Sequence, residues 1–341
     1  MKQKMLLGML MLIVAFGATG QDINFSQFYE LPLLRNPALA GKFRGDIRAT
    51  SAFRSQWNSV TVPYKTQALG VELKSGVSAN SDDYISLGMQ ITNDVAGDSK
   101  LGKTQLLPMI AYHKLMNSYR NTYISVGFLG GAVQQRFDPT GLKFDDQFVG
   151  GAYSATNPTR QTFTNTNVIY WDAAAGVTYS SETDKGLQYY IGAAYFHVSQ
   201  PKVAFNPDND MRLNRKIVFN LGISTPVGEY NTLILYADYF SQGGNSQAQG
   251  GVLYKHDMVQ ADEIENVSLS MGAFYRVNDA IVPVVKLDYY KWGIGLTYDA
   301  NINKLKQASN GRGGFELTLS YKSFLNIRNT SADKMRCPVA F

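Results

Sequence analysis

Three histidines, His113, His197 and His256, are the side chains best suited to proton transfer or metal binding. They stand far apart in the chain, and none belongs to a His-x-x-x-His or Glu-x-x-His pair of the kind that puts two ligands on one face. No structural or catalytic metal site is expected from them. A hydroxyl–imidazole pair assembled in space stays open as an alternative. Neither a nucleophile elbow nor a phosphate-binding loop occurs. Asp208-Asn209-Asp210 crowds oxygen ligands as a calcium site does, but lacks the regular spacing and closing Glu of an EF-hand. It reads as a solvated turn, as does Asp145-Asp146. The glycines in 243–251 and 311–314 mark hairpin ends, because no helix follows them to complete an anion site. Cys337 is the only cysteine, so no internal disulfide can form. The residues therefore predict a protein without catalytic residues, cofactor or metal.

With no chemistry to position, the question becomes what the chain builds. Charged residues make up 17% of it, below the roughly 25% of soluble domains. Aromatic residues are plentiful, with 21 Tyr, 18 Phe and 3 Trp. Mean hydropathy is nevertheless slightly negative at -0.18. Apolar and polar residues must be interleaved. The first twenty residues read as a cleaved export signal: Lys2 and Lys4 give a basic start, Met5 to Phe16 is apolar, and Ala18-Thr19-Gly20 supplies small residues before Gln21. That apolar run falls short of the roughly 20 residues a spanning helix needs, and nothing later approaches one. Removing Lys2 and Lys4 from the 32 basic residues leaves 30 against 27 acidic ones, a net +3 with the charges scattered, which gives no argument for nucleic acid.

From residue 44 onward the chain has a period of two. In 171–179 Trp171, Ala173, Ala175, Val177 and Tyr179 alternate with Asp172, Ala174, Gly176 and Thr178. In 292–299 Trp292, Ile294, Leu296 and Tyr298 alternate with Gly293, Gly295, Thr297 and Asp299, and in 315–322 Phe315, Leu317, Leu319 and Tyr321 alternate with Glu316, Thr318, Ser320 and Lys322. A soluble sandwich also alternates. It has no reason, however, to set aromatics at both ends of each apolar row. Eight residues at ~3.3 Å each, tilted about 40°, rise roughly 20 Å, close to the apolar band of a membrane barrel between its aromatic girdles.

The pattern predicts an all-β fold: a transmembrane antiparallel β-barrel of about 14 strands behind an N-terminal signal peptide. The strands fall at about 44–57, 64–75, 84–93, 104–116, 122–137, 168–180, 187–198, 214–226, 231–240, 247–256, 266–277, 280–288, 291–300 and 313–325. No Gly, Pro or Asn marks a turn between the twelfth and thirteenth, but the apolar parity switches there as a tight hairpin requires. Connections 94–103, 138–167, 199–213 and 301–312 are long and follow odd-numbered strands. Connections 117–121, 181–186 and 227–230 are short and follow even-numbered ones. That asymmetry places both ends in the periplasm and the protein in the outer membrane. Four regions result: a signal peptide (1–20), an N-terminal periplasmic or plug segment (21–43), the barrel (44–325) and a periplasmic tail (326–341). Inward positions carry both signs, in Glu72, Lys74, Asp172, Asp238, Arg276, Lys286, Asp288, Glu316 and Lys322; they are expected to pair with each other and with a plug, the alternative being that they line a water channel. Both 21–43 and the long loop 138–167 are candidates for that plug.

Several short motifs carry a resemblance. The start contains Phe25-Ser26-Gln27-Phe28, then Asn36-Pro37-Ala38-Leu39-Ala40-Gly41. Phe53-Arg54-Ser55-Gln56-Trp57 lies in the first strand and Pro63-Tyr64-Lys65-Thr66 enters the second. Leu142-Lys143-Phe144-Asp145-Asp146-Gln147-Phe148, Leu296-Thr297-Tyr298-Asp299 and Cys337-Pro338 follow in the same order. Together they resemble the PorP/SprF family of type IX secretion system membrane proteins. The resemblance implies a non-enzymatic outer-membrane barrel of the secretion and gliding machinery. Its implied partners are membrane lipids, the machine's periplasmic ring lipoproteins, and exported cargo such as adhesins with C-terminal sorting domains. The ending Cys337-Pro338-Val339-Ala340-Phe341 has one residue more than the family's usual Cys-Pro-x-Phe. A passive porin or fatty-acid-type transporter is the alternative.

Within the N-terminal motif, Asn36-Pro37 and Gly41 are turn formers, while Phe25, Phe28, Leu33 and Leu34 are apolar anchors in a segment too irregular for a strand. Residues expected to hold a plug or a partner are therefore Phe25, Gln27, Asn36, Pro37 and Gly41, together with Arg54 and Trp57 of the first strand.

Overall fold

Alternation of apolar and polar residues leaves each strand with one face for lipid and one for water, and a closed ring is the arrangement that pairs every strand edge. A computed structural model describes residues 22–56, 62–78, 81–154, 156–259, 267–303 and 312–325. Expected features at 1–20 and 326–341, and at Trp57, lie outside the described residues. Fourteen antiparallel strands close a single barrel: β1 (Ile47–Gln56), β2 (Tyr64–Ser78), β3 (Ser81–Ala96), β4 (Leu101–Asn117), β5 (Thr122–Arg136), β8 (Asn167–Glu182), β9 (Gln188–Phe196), β10 (Lys216–Pro226), β11 (Asn231–Gln242), β12 (Asn245–Val259), β13 (Val267–Arg276), β14 (Ala280–Tyr289), β15 (Trp292–Asn301) and β16 (Arg312–Ser323). The two remaining strands, β6 (Phe148–Val149) and β7 (Ala152–Tyr153), form a small hairpin in the loop between β5 and β8.

Closure runs through β1 and β16, which pair from Ile47↔Ser323 to Gln56↔Gly314. The hairpin that lacks turn residues exists: Tyr289 pairs with Trp292, and Tyr290 takes the left-handed conformation (φ 52°) that so tight a reversal needs. One expected long connection is overturned. Most of 94–103 is strand, since β3 runs to Ala96 and β4 starts at Leu101, leaving only 97–100 as a turn. Asp94 and Lys103, inside the expected connection, face one another across the ladder, as do Asn93 and Thr104, where Thr104 donates to Asn93 Oδ1 at 3.0 Å. The remaining long described loops, 137–166 and 197–215, still share one end of the barrel with that turn. By the usual asymmetry this end is extracellular.

The apolar rows face outward: Leu317, Leu319, Ile294, Leu296, Val177 and Ile191 are all exposed, as a lipid-facing surface requires. Buried residues lie inside the ring and on the N-terminal segment, where nearly every residue from Phe25 to Phe43 is covered. Three short 3-10 turns, Phe28–Glu30, Pro32–Leu34 and Pro37–Leu39, fold that segment compactly. Two of them start on proline, whose fixed φ and missing N–H suit the first position.

Candidate functional site

The site is the contact between residues 22–45 and the inner wall, because charged and polar groups are buried on both sides of it among apolar ones. The wall presents charges, and the segment presents backbone groups and side chains of opposite sign. Going from the extracellular end downward, Asp22 comes first. Its carboxylate lies 3.0 Å from Lys103 Nζ, 2.6 Å from His197 Nε2 and 3.6 Å from Lys216 Nζ. Its backbone N–H donates to Gln242 Oε1 at 3.2 Å. His197 Nδ1 in turn meets Asp172 Oδ2 at 2.6 Å. Burial opposes the charge on Asp22, but the surrounding cations outweigh it and hold the carboxyl well below the usual range. Burial likewise opposes charging of His197, yet Asp172 and Asp22 push it up to about 9. Lys103, Lys216 and Gln242 all sit at the extracellular ends of their strands. The segment thus spans the height of the lumen, further than a plug confined to the periplasmic mouth, and the reason is this cluster of cations at its far end.

Below Asp22, Ser26 and Gln27 donate their backbone N–H groups to Glu316, each at 2.7 Å. Ser26 Oγ donates to Asp299 Oδ1 at 2.5 Å and accepts from Arg276 Nη2 at 2.8 Å. Arg54 pairs with Asp299 at 2.6 Å and donates to the Asn24 carbonyl. Thr318 Oγ1 donates to Gln27 Oε1 at 2.8 Å. One acidic pair on β15 and β16 is therefore neutralised by two wall arginines and capped by the segment's own amides. Each partner is needed, since a buried charge left alone is costly.

Midway, Arg35 reaches Asp238 with two bonds, at 2.7 Å from Nε and 2.5 Å from Nη2. Its guanidinium also lies over the Phe28 ring at 4.9 Å. Phe28 and Tyr29 pack against Tyr236 and Phe274, with Tyr29 stacked on Tyr236 at 5.0 Å. Glu30 pairs with Lys286. Asn36 Nδ2 donates to the carbonyls of Val177 and Ala193 at 3.2 Å each, while its Oδ1 accepts from Ala38 N at 2.9 Å and so caps the turn that follows. At the periplasmic end Gly41 N donates to Glu72 Oε2 at 2.9 Å, and Lys74 Nζ donates to the Phe43 carbonyl at 2.7 Å.

The structure brings Phe25, Gln27, Asn36, Pro37, Gly41 and Arg54 together in this one interface; all six are buried. Of the inward charges expected from the sequence, Glu72, Lys74, Asp172, Asp238, Arg276, Lys286 and Glu316 hold partners there. Sequence reasoning missed Asp22, Arg35, His197 and Asp299. Arg35 was legible as the one cation of an otherwise apolar stretch, whereas the Asp22–His197 contact joins residues 175 positions apart and left no local signal. Loop 138–167, the other candidate plug, keeps most of its residues exposed, and among the described residues it makes no hydrogen bond to the segment. Its one buried side chain in the Leu142–Phe148 motif, Gln147, bonds within the loop. His113 lies between Ser86 Oγ (3.1 Å) and Ser125 Oγ (2.8 Å) beside a stacked Tyr84 and is fully buried. His256 bonds to Asn231 Oδ1 at 2.8 Å. Among the described residues no group of His, Cys, Asp and Glu is arranged to hold a metal.

A family model described as "Type IX secretion system membrane protein PorP/SprF" matches residues 18–321. The chain belongs to the PorP/SprF family. The match covers the N-terminal segment and nearly all of the barrel wall, so the contact described above lies inside the PorP/SprF region. No curated protein matches the chain in sequence. Among solved structures it is similar to the Ralstonia pickettii toluene transporter TbuX (11% identity, 86% of this chain and 93% of that one, TM-score 0.49). It is also similar to the translocator domain of the autotransporter NalP from Neisseria meningitidis (9% identity, 81% and 88%, TM-score 0.41). A third is CdiB from Acinetobacter baumannii (9% identity, 81% and 60%, TM-score 0.40).

Above the segment, at the extracellular end, the PorP/SprF barrel keeps a cavity of about 690 Å³. Asp22 and Asn24 form part of its floor, and Gln56, Tyr64, Asp94 and Asn278 line its walls.

Proposed function

We propose that this PorP/SprF barrel is a non-enzymatic outer-membrane component of the type IX secretion and gliding machinery, which anchors partners and serves the export or surface display of cargo. Its cargo would be adhesins or other proteins with C-terminal sorting domains, and its inner-face partners the periplasmic ring lipoproteins. The observation that carries this reading is the filled lumen. A passive pore works by leaving a wetted path, and here residues 22–45 occupy that path with hydrogen bonds and ion pairs to the wall, from the Gly41 N–H on Glu72 at one end to the Asp22–Lys103 pair at the other. A barrel so closed offers its surfaces rather than its bore. The test is a clean deletion in the native cell. Cargo should still be made but be absent from the surface, and normal display of every type IX substrate would defeat the reading.

The extracellular cavity favours a second reading, a passive transporter that takes small polar solutes at its outer mouth. Purified protein in planar bilayers separates the two. A porin conducts steadily, whereas a barrel sealed by its own N-terminal segment is nearly silent.

A further inference from the structure

The wall is stepped at one place. β8 pairs with β5 from Tyr123↔Ser180 up to Arg136↔Asn167, but with β9 only from Ala174↔Phe196 downward. Residues 167–173 therefore carry a ladder on one side and a strand edge on the other, at the extracellular end. Which groups lie on that edge follows from two bonds. The Ala173 carbonyl accepts from Val198 N at 3.1 Å, and the Ala173 N–H donates to Asp172 Oδ1 at 2.8 Å, so both point away from β5. Backbone direction alternates along a strand, and the β5–β8 register is unbroken here. The N–H and C=O groups of Trp171 and Ile169 therefore face the same way. Ser199 Oγ reaches the Trp171 carbonyl at 3.3 Å, and the chain then leaves the edge. No described strand covers Ile169. The side chains beside this edge are among the most exposed large apolar groups of the molecule, Trp171 at 73% and Ile169 at 64%.

We propose that the free edge of β8 at residues 167–171, above the groups that Val198, Asp172 and Ser199 already take, is a docking site for an extended strand of the exported protein. An edge of unpaired main-chain groups selects an extended polypeptide, because only a strand offers donors and acceptors at the matching repeat. Ile169 and Trp171 add an apolar strip that favours a strand with apolar or aromatic residues on its outward face. Trp171 closes the lipid-facing row of β8, so a bound strand would lie at the rim of the membrane, where water competes poorly for these groups. This inference rests on the cargo reading given above and adds to it a place and a chemistry.

The test uses full-length barrel in lipid nanodiscs and, as probe, the purified sorting domain of an adhesin secreted by the same cell. Amide exchange of the peptide 167–173 is followed with and without the domain, for wild type, Ile169→Pro and Ile169→Thr, each shown to be folded by heat-modifiable migration. Proline removes the edge donor but no bond to β5, whereas threonine keeps the donor. Binding of the domain should slow exchange at this peptide at least tenfold in wild type and in Ile169→Thr, and the effect should vanish in Ile169→Pro. A domain that binds without slowing exchange there overturns the edge site while leaving the cargo reading intact. A domain that does not bind folded wild type overturns the cargo reading and the inference with it. A disulfide between two Ile169→Cys barrels in a Cys337→Ser background would overturn the choice of occupant, because a second copy would then cover the edge.

Discussion

Asn36 rests against Gly176 of β8 so closely that a Cβ on the glycine would fall 2.0 Å from Asn36 Oδ1. Gly127 on the neighbouring β5 repeats the relationship one residue on, with a built Cβ 2.4 Å from the Pro37 carbonyl carbon. These two glycines pair with each other across the ladder. Their missing side chains make a slot in the wall that receives the Asn36-Pro37 turn, and both contacts are with backbone or short, fixed side chains that cannot swing aside.

Replacing Gly176 by Val should therefore unseat the segment without opening the barrel. The glycine lies in regular strand, where valine is favoured, so the wall itself tolerates the change. Heat-modifiable migration should persist while single-channel conductance rises from near silence to frequent openings. Conductance equal to wild type would show that the slot does not hold the turn.

Deleting residues 22–43 should have the larger effect of the same kind. The wall charges Asp238, Glu316, Asp299 and Lys286 would lose their luminal partners and face water instead, which hydrates them at little cost once the lumen is open. Steady conductance in planar bilayers is expected, with salt-dependent selectivity from the exposed charges. A deletion barrel that stays closed would mean that another element fills the bore.

The bond between Arg35 and Asp238 predicts an asymmetry between single and double substitutions. Arg35→Ala strands a buried carboxylate and should cost about 3–5 kcal/mol. Arg35→Met with Asp238→Leu removes both charges and should recover most of that loss. Urea unfolding in lipid vesicles, followed by tryptophan fluorescence, measures both. Equal losses would show that the pair is solvated and not buried.

The anchor at Asp22 should depend on pH at both ends. His197 is raised from 6.5 to about 9, so its contribution is complete below about 6.5 and is lost as pH climbs through about 9. Asp22 is lowered, so its contribution is present above its ordinary 3.8 and is lost as pH falls through its lower folded value. The N-terminal end of the segment should be held most tightly between those limits. Amide exchange at residues 22–27 should accelerate above pH 9 in wild type, and already at neutral pH in His197→Ala. An exchange profile indifferent to His197 would remove this residue from the anchor.

Leu317 on the outer face of β16 offers a test of the membrane band itself. Leu317→Arg should destabilise the inserted barrel by about 2–4 kcal/mol if the position lies near the bilayer midplane. Leu317→Phe should be nearly neutral. Equal, small effects of both would place this row in water.

Much of this is legible in the residues alone. Trp292, Ile294, Leu296 and Tyr298 fell on one parity and faced outward as that parity required. Glu316, Asp238 and Lys286 fell on the other parity and faced in. The Asn36-Pro37 and Gly41 turns were legible from residue type, because proline and glycine restrict or free the backbone wherever they occur. The turn at 97–100 was not, since the polar residues flanking it satisfy one another across two strands, a pairing invisible in either strand alone. Nor was the free edge of β8, because the residues at its top alternate as regularly as those below it.

By itself the sequence determined the period, the two faces and the number of strands, since these depend on neighbours one or two positions away and on the cost of leaving backbone unpaired in lipid. Only the tertiary structure decided that residues 22–45 run up the lumen and that Asp22 finds His197, Arg35 finds Asp238 and Asn36 finds the glycine slot. The physical reason is that ring closure sets which wall residues stand at the same height, and a buried charge takes whatever opposite charge that geometry puts within reach.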